Sequence, residues 1–230
     1  MKKTSRTFII SLGGSLINPG DIDTDFLQAF KQLIISEVKS KPCRFIIVTG
    51  GGRPARQYQD ALKKLFQTET DKLDWLGICA TKLNAELVKF MFGKLCHNKI
   101  IIDPETKIVN QKKVLVASGW KPGRSTDYVA VLLAKTYGAN IVLNLSNIDY
   151  AYSKNPHKYK NAKKIINSSW QDFRKIVGYV WKPGANLPFD PIASKLAEVN
   201  KTTVIIANGK NITNLKNIFS SKSYIGTTIS

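Results

Sequence analysis

Two glycine runs mark places where this chain could hold negatively charged groups. Gly13-Gly14-Ser15 follows the apolar stretch Phe8-Ile9-Ile10-Ser11-Leu12, and Gly50-Gly51-Gly52 follows Phe45-Ile46-Ile47-Val48. Without a Cβ, backbone N–H groups can approach a phosphate closely. Pro54 suits the first turn of a helix behind the second run, and a helix N-terminus favours anions. Arg53 and Arg56 stand near enough in sequence to add charge-assisted bonds. Either run alone reads equally as a turn. Two runs at equivalent positions after strands point to two phosphate groups held side by side. The G-x-x-x-x-G-K-[ST] and G-x-G-x-x-G patterns are absent, which disfavours the ordinary nucleotide-binding loops.

The elements that must position these runs can be read from periodicity. Phe8–Leu12 and Phe45–Val48 predict strands. Phe26, Phe30, Leu33, Ile34 and Val38 share one face of a helix capped near Asp23 or Thr24. Further helices are predicted over Asp74–Gly93, Asp127–Tyr137 with Gly138 as a stop, Ser169–Val177 and Ile192–Val199. Ile100–Ile102, Val114–Val116, Ile141–Leu143, Thr203–Ile206 and Gly226–Ile229 predict the remaining strands. Continuous apolar strands alternating with helices mean an α/β fold: a three-layer sandwich around a largely parallel sheet. Ligands of such sheets bind at the carboxyl ends of strands, where both glycine runs fall. Trp-Lys-Pro-Gly occurs twice, at 120–123 and 181–184. The second copy reads either as a loop that brings Lys182 toward phosphate or as a surface turn with Trp181 packed beneath it.

The 230 residues suffice for one sizeable domain, and 43% hydrophobic content supports a packed core. No apolar run approaches the roughly 20 residues of a membrane span, and the start does not read as a secretory signal. The expected location is the cytoplasm, with no membrane partner. Cys43, Cys79 and Cys96 lack disulfide or zinc spacing and read as small buried hydrophobes; no metal-ligating residues are assigned. The net charge of +19 invites a nucleic-acid reading. The lysines are scattered, however, and aromatic–basic interleaving is absent, so nucleic acid is not the expected ligand. A positive field still draws anionic substrates.

In order and spacing, these segments resemble the amino-acid-kinase family, and within it the archaeal-type uridylate kinases. The matching segments are Gly13-Gly14-Ser15, Gly50-Gly51-Gly52 with Arg56, Asp74-Trp75-Leu76-Gly77 with Thr81, Pro122–Asp127, Asn147-Ile148-Asp149, Tyr152, Pro156, Asp190–Lys195 and Gly226-Thr227. The resemblance implies ATP-dependent phosphoryl transfer to UMP in pyrimidine nucleotide synthesis. Catalytic roles fall to Lys195, Arg56 and Asp127. Gly13, Gly14, Ser15, Gly52, Ser146, Asn147, Asp149, Tyr152 and Asn155 would lie around ATP. Gly51, Asp74, Gly77, Trp120, Lys121, Gly123, Arg124, Ser125 and Thr126 would bind UMP. Mg²⁺ would bridge the ATP phosphates and keep several waters. The resemblance also implies one domain, with an acceptor lobe over about 1–135 and an ATP lobe over about 136–230. A homo-oligomer is expected too, on the pattern of hexamers built from dimers.

Three positions depart from the family pattern. Ser11 stands where many relatives carry lysine, so Lys121 or Arg124 is a candidate to replace that cation. Tyr150 replaces a glycine and Asn155 an aspartate, both in the expected ATP region. Two alternatives follow. One is a kinase of the same fold acting on isopentenyl phosphate, carbamate or an amino-acid carboxylate. The other is a non-catalytic nucleotide-binding protein. Asp74 and the Trp120–Thr126 loop favour a nucleoside monophosphate over the first. Lys195, Arg56 and Asp127 oppose the second.

Overall fold

The computed structural model describes residues 6–65, 67–154, 156, 158–180 and 187–230. The first half runs β1 (Arg6–Leu12), α1 (Gly14–Ile17), α2 (Thr24–Ser40), β2 (Cys43–Thr49), α3 (Gly52–Leu65), α4 (Thr70–Phe92) and β3 (Val114–Ala117). Then come α5 (Thr126–Tyr137), β4 (Ile141–Ser146), β5 (Ala151–Tyr152), β6 (Lys164–Ile165), β7 (Asn167–Ser168), α6 (Trp170–Val177), α7 (Pro191–Val199), β8 (Thr203–Asn208), α8 (Ile212–Phe219) and β9 (Thr227–Ile229).

Seven strands form one sheet in the order β3-β2-β1-β4-β8-β9-β7. The first five of these are mutually parallel, and β9 pairs antiparallel with β8. The predicted α/β sandwich is therefore present. Alternate residues of each strand serve opposite faces. Phe8, Ile10, Phe45, Ile47, Val114, Val116 and Leu143 join the core beneath α2, α4 and α8. Ile9, Ile46, Val48, Leu115, Ala117 and Val142 join the core beneath α5, α6 and α7. Chain direction across the sheet reverses at β1: β2 lies on one side and β4 on the other. The ends of β1, β2 and β4 therefore open at a switch point, where a crevice forms.

Several helix ends follow local capping chemistry. The Asp23 side chain accepts from Phe26 N–H, Ser125 from Tyr128 N–H and Ser169 from Asp172 N–H. Gly138 stops α5 with a φ of 67°, a left-handed conformation that glycine adopts without steric cost. Three sequence expectations are corrected. Ile100–Ile102 forms no strand; Ile101 makes a single bridge to Ala117, because a turn at His97–Lys99 interrupts the pairing and Ile102 faces solvent. α4 starts at Thr70, one turn before Asp74. Cys43 and Cys96 are buried, but Cys79 is exposed on the outer side of α4.

Candidate active site

The two glycine runs meet. β1 and β2 pair in register up to Leu12 opposite Thr49, so their following loops emerge side by side. A Cβ on Gly14 would lie 1.9 Å from Gly52 N and 2.8 Å from Gly50 C. One on Gly50 would lie 2.4 Å from Gly14 N. Gly52 has a φ of +69°, with Gly14 O and Asn18 O closing the space a side chain would take. No side chain fits at these positions, so bare backbone forms the floor. The floor is tied down on all sides. Gly50 N–H donates to Leu12 O at 2.9 Å, and Arg53 N–H to Asn18 O at 3.0 Å. Asn84 Nδ2 donates to Gly50 O at 2.7 Å from the buried side of α4.

β4 closes one flank. Gly13 N–H donates to Leu145 O at 2.8 Å, and a Cβ on Gly13 would stand 3.6 Å from Ser146 Cα. Ser146 thus borders Gly13. Asn147 and Asp149 follow in an exposed turn, and Tyr152 enters the β5–β6 hairpin opposite Lys164. Tyr150 is half-buried with the Lys164 ammonium 5.2 Å from its ring centre. Asn155 and the Trp181–Asn186 segment, including Lys182, lie outside the described residues.

α4 and the loop after β3 form the other flank. A Cβ on Gly51 would come within 3.3 Å of Gly77 O. Gly119 N–H donates to Thr81 Oγ1 at 2.8 Å. Asp74 Oδ2 accepts from Gly123 N–H at 2.8 Å, which joins α4 to the Trp120–Thr126 loop. Partial burial moves the Asp74 carboxyl above its usual range, against the lowering effect of that bond. On the same loop the Lys121 ammonium lies 3.7 Å from the Trp120 ring centre. The Arg124 guanidinium lies over Tyr128, and its buried Nε has no partner among the described residues. Neither cation is seen beside Ser11.

Asp127 lies where β1, α5 and the start of α7 converge. Ser11 Oγ is 3.0 Å from its Oδ1, and Asp190 N–H points to Oδ2 from 3.4 Å. Asp127 as a residue is only half-buried, yet its carboxyl is closely surrounded by protein. Desolvation first and the Asp190 charge second push it up to about 7. Asp190 caps α7, accepting from Ile192 N–H at 2.5 Å and Ala193 N–H at 3.1 Å.

The two predicted catalytic cations sit differently. Arg56 is exposed on α3 and makes no hydrogen bond or ion pair with another described residue. Lys195 is exposed on α7, and its Nζ is 3.2 Å from Glu198 Oε2. Glu198 also receives Arg174 at 2.7 Å. Glycine spacing revealed the floor; it could not reveal Asn84, although a polar residue on the apolar face of α4 was a visible signal.

Parallel strands, a switch-point crevice and a double glycine floor define a phosphate-handling α/β protein. The description of the amino acid kinase family matches residues 6–208. A uridylate kinase of Thermoplasma volcanium is 34% identical over 98% of both chains. One of Pyrococcus abyssi is 31% identical over 96% of this chain and 98% of its own. The crystal structure of a uridylate kinase from Archaeoglobus fulgidus superposes with a TM-score of 0.82 at 28% identity, covering 98% of this chain and all of that one. A UMP kinase structure from Bacillus anthracis, 17% identical with a TM-score of 0.77, shares the fold. The chain belongs to the amino acid kinase family.

Proposed function

We infer that this chain transfers the γ-phosphoryl group of ATP to UMP, giving UDP and ADP in pyrimidine nucleotide synthesis. The observation that carries this reading is the contact between the two glycine runs, which offers adjoining backbone donors for two phosphate groups. Uridylate kinases matched over almost the whole chain support UMP as the acceptor.

A UMP phosphate oxygen attacks the γ-phosphorus, and the bond to the bridging oxygen of ADP breaks. UMP already carries a nucleophilic oxygen, so the chain must position two anions and neutralise charge. Gly51, Gly77, Asp74 and the loop of Trp120, Lys121, Gly123, Arg124, Ser125 and Thr126 hold UMP in the 1–135 portion. Gly13, Gly14, Ser15 and Gly52 hold ATP phosphates. Ser146, Asn147, Asp149, Tyr152 and Asn155 surround the rest of ATP in the 136–230 portion. Arg56 meets the phosphates near the transfer point. Lys195 exchanges Glu198 for the transferred group. The backbone donors of the floor suit phosphate oxygens; Mg²⁺ carried in with ATP would take its oxygen ligands chiefly from phosphate and water and would neutralise phosphate charge. No helix among the described residues is long and apolar enough to cross a membrane. The reading places the enzyme in the cytoplasm as a homo-oligomer.

The test is ADP release from Mg-ATP across UMP, CMP, dTMP, isopentenyl phosphate, aspartate, glutamate and carbamate. Turnover with UMP should exceed every other acceptor by at least about 10-fold, the discrimination of one good polar contact. Faster turnover with another acceptor would remove the UMP assignment. Binding without turnover would favour a non-catalytic nucleotide-binding role.

A further inference from the structure

Among the described residues, Asp127 is a carboxylate without a cation. Each element packed against it gives the same answer among the described residues. On β1, Arg6 stands at the far end over Phe8. On β2, Arg44 is committed to Asn110 and faces Tyr137. β4 carries no charged residue. On α7, Lys195 turns outward to Glu198. On the preceding loop, Lys121 and Arg124 lie over Trp120 and Tyr128. The charge that bears on Asp127 is the Asp190 carboxylate, of the same sign.

The residue opposite determines whether a proton can be accommodated here. An ammonium only donates, and it would hold Asp127 ionised. A hydroxyl donates to a carboxylate and accepts from a carboxylic acid, with no heavy atom moving. Ser11 Oγ, 3.0 Å from Oδ1, suits both states. Ser11 also stands two residues before Gly13, so a phosphate on the glycine floor brings further negative charge toward Asp127. Like charges in a poorly solvated site favour protonation of the weaker acid.

Resting on the nucleotide reading above, we propose that Asp127 takes up a proton when nucleotide phosphate binds, and that Ser11 is the positioning residue that accommodates it. The proton comes from solvent and forms an O–H bond at Oδ1, which donates to Ser11 Oγ. The like charge facing the phosphates is thereby removed without a lysine.

Calorimetry tests this with the whole chain and metal-free ligands, UMP first and then ADP. Titrations at pH 7.5 in HEPES and in Tris, whose ionisation heats differ, read proton exchange directly. If the phosphates raise the Asp127 carboxyl by about one unit from its free value of about 7, uptake summed over both ligands is about half a proton per chain. Asp127→Asn and Ser11→Lys should bind both ligands with uptake reduced at least about fivefold, because the first removes the acid and the ammonium of the second holds Asp127 ionised. Wild-type binding with equal heats in both buffers overturns the proposal while leaving the nucleotide reading intact. So does uptake that persists in Asp127→Asn. Absence of binding in the wild type removes the nucleotide reading, and this inference with it. Should either variant fail to fold, the wild-type Asp127 side-chain carboxyl ¹³C shift, followed against pH with and without UMP and ADP, decides the matter. A midpoint that rises with nucleotide supports the proposal, and an unmoved midpoint overturns it.

Discussion

The glycine floor and the cationic rim of the crevice are built on opposite principles. At the floor, Gly14, Gly50 and Gly52 approach so closely that packing excludes any side chain, and Asn84, Leu12 and Asn18 fix the backbone. At the rim, Arg56 has no partner among the described residues, Lys195 rests on Glu198, and Lys121 and Arg124 lie on aromatic rings. Gly123, on the rim loop, has open space around it despite a φ of +74°. The floor is fixed before any ligand arrives. On the proposed reading the rim holds charge on long side chains, and the exposed pairings of Lys121 and Lys195, worth little each, can be given up for a phosphate. In the proposed reaction, rigid backbone would supply position and movable cations charge where it develops.

Substitutions can break this contrast. Gly14→Ala should have the largest effect, lowering turnover at least about 1000-fold, since its Cβ would meet the Gly52 backbone at 1.9 Å and spoil alignment. Steady-state kinetics on the folded variant would check it. Arg56→Ala should lower kcat about 100-fold with an unchanged melting temperature, as expected for a cation that acts only on substrate. A loss of stability of similar size would instead make Arg56 structural.

Asp127→Asn sharpens the comparison from the floor side. The folded-state value of about 7 lies above the 3.8 of an unperturbed aspartate, so the folded chain binds the extra proton between them. Stability from this group therefore falls as pH rises from about 4 to about 7 and stays low above that. The asparagine variant should gain about 2 kcal/mol relative to wild type at pH 8 and little at pH 4, part of the full linkage being screened by solvent. Urea melts at the two pH values measure this. Gly123→Ala should have the smallest effect. Only the positive φ is strained, at about 1 kcal/mol, and turnover should stay within about fivefold.

Sequence periodicity disclosed most of the scaffold because β1, β2, β4 and β8 are continuous apolar strands, and α2 and α5 carry clear caps. It did not disclose α8, whose Asn-rich, β-branched sequence has weak helix propensity. Nor did it disclose α1 or the two-residue strands β5, β6 and β7, which are too short for a period to register. At the site, glycine runs were legible because their meaning is local. The bonds from Asn84 to Gly50, from Gly123 to Asp74 and from Ser11 to Asp127 join residues 34, 49 and 116 apart. No local pattern encodes them. The missing lysine at position 11 was visible, but not that a hydroxyl there would face a carboxylate.

The most direct test is a crystal structure with UMP and a non-transferable ATP analogue bound together. The account places the UMP phosphate at Gly51, the analogue's phosphates over Gly13-Gly14 and Gly52, Arg56 in contact near the transfer point, and Lys195 moved from Glu198 to the terminal phosphate. Phosphates bound away from the joined glycine runs, with Lys195 still on Glu198, would contradict it.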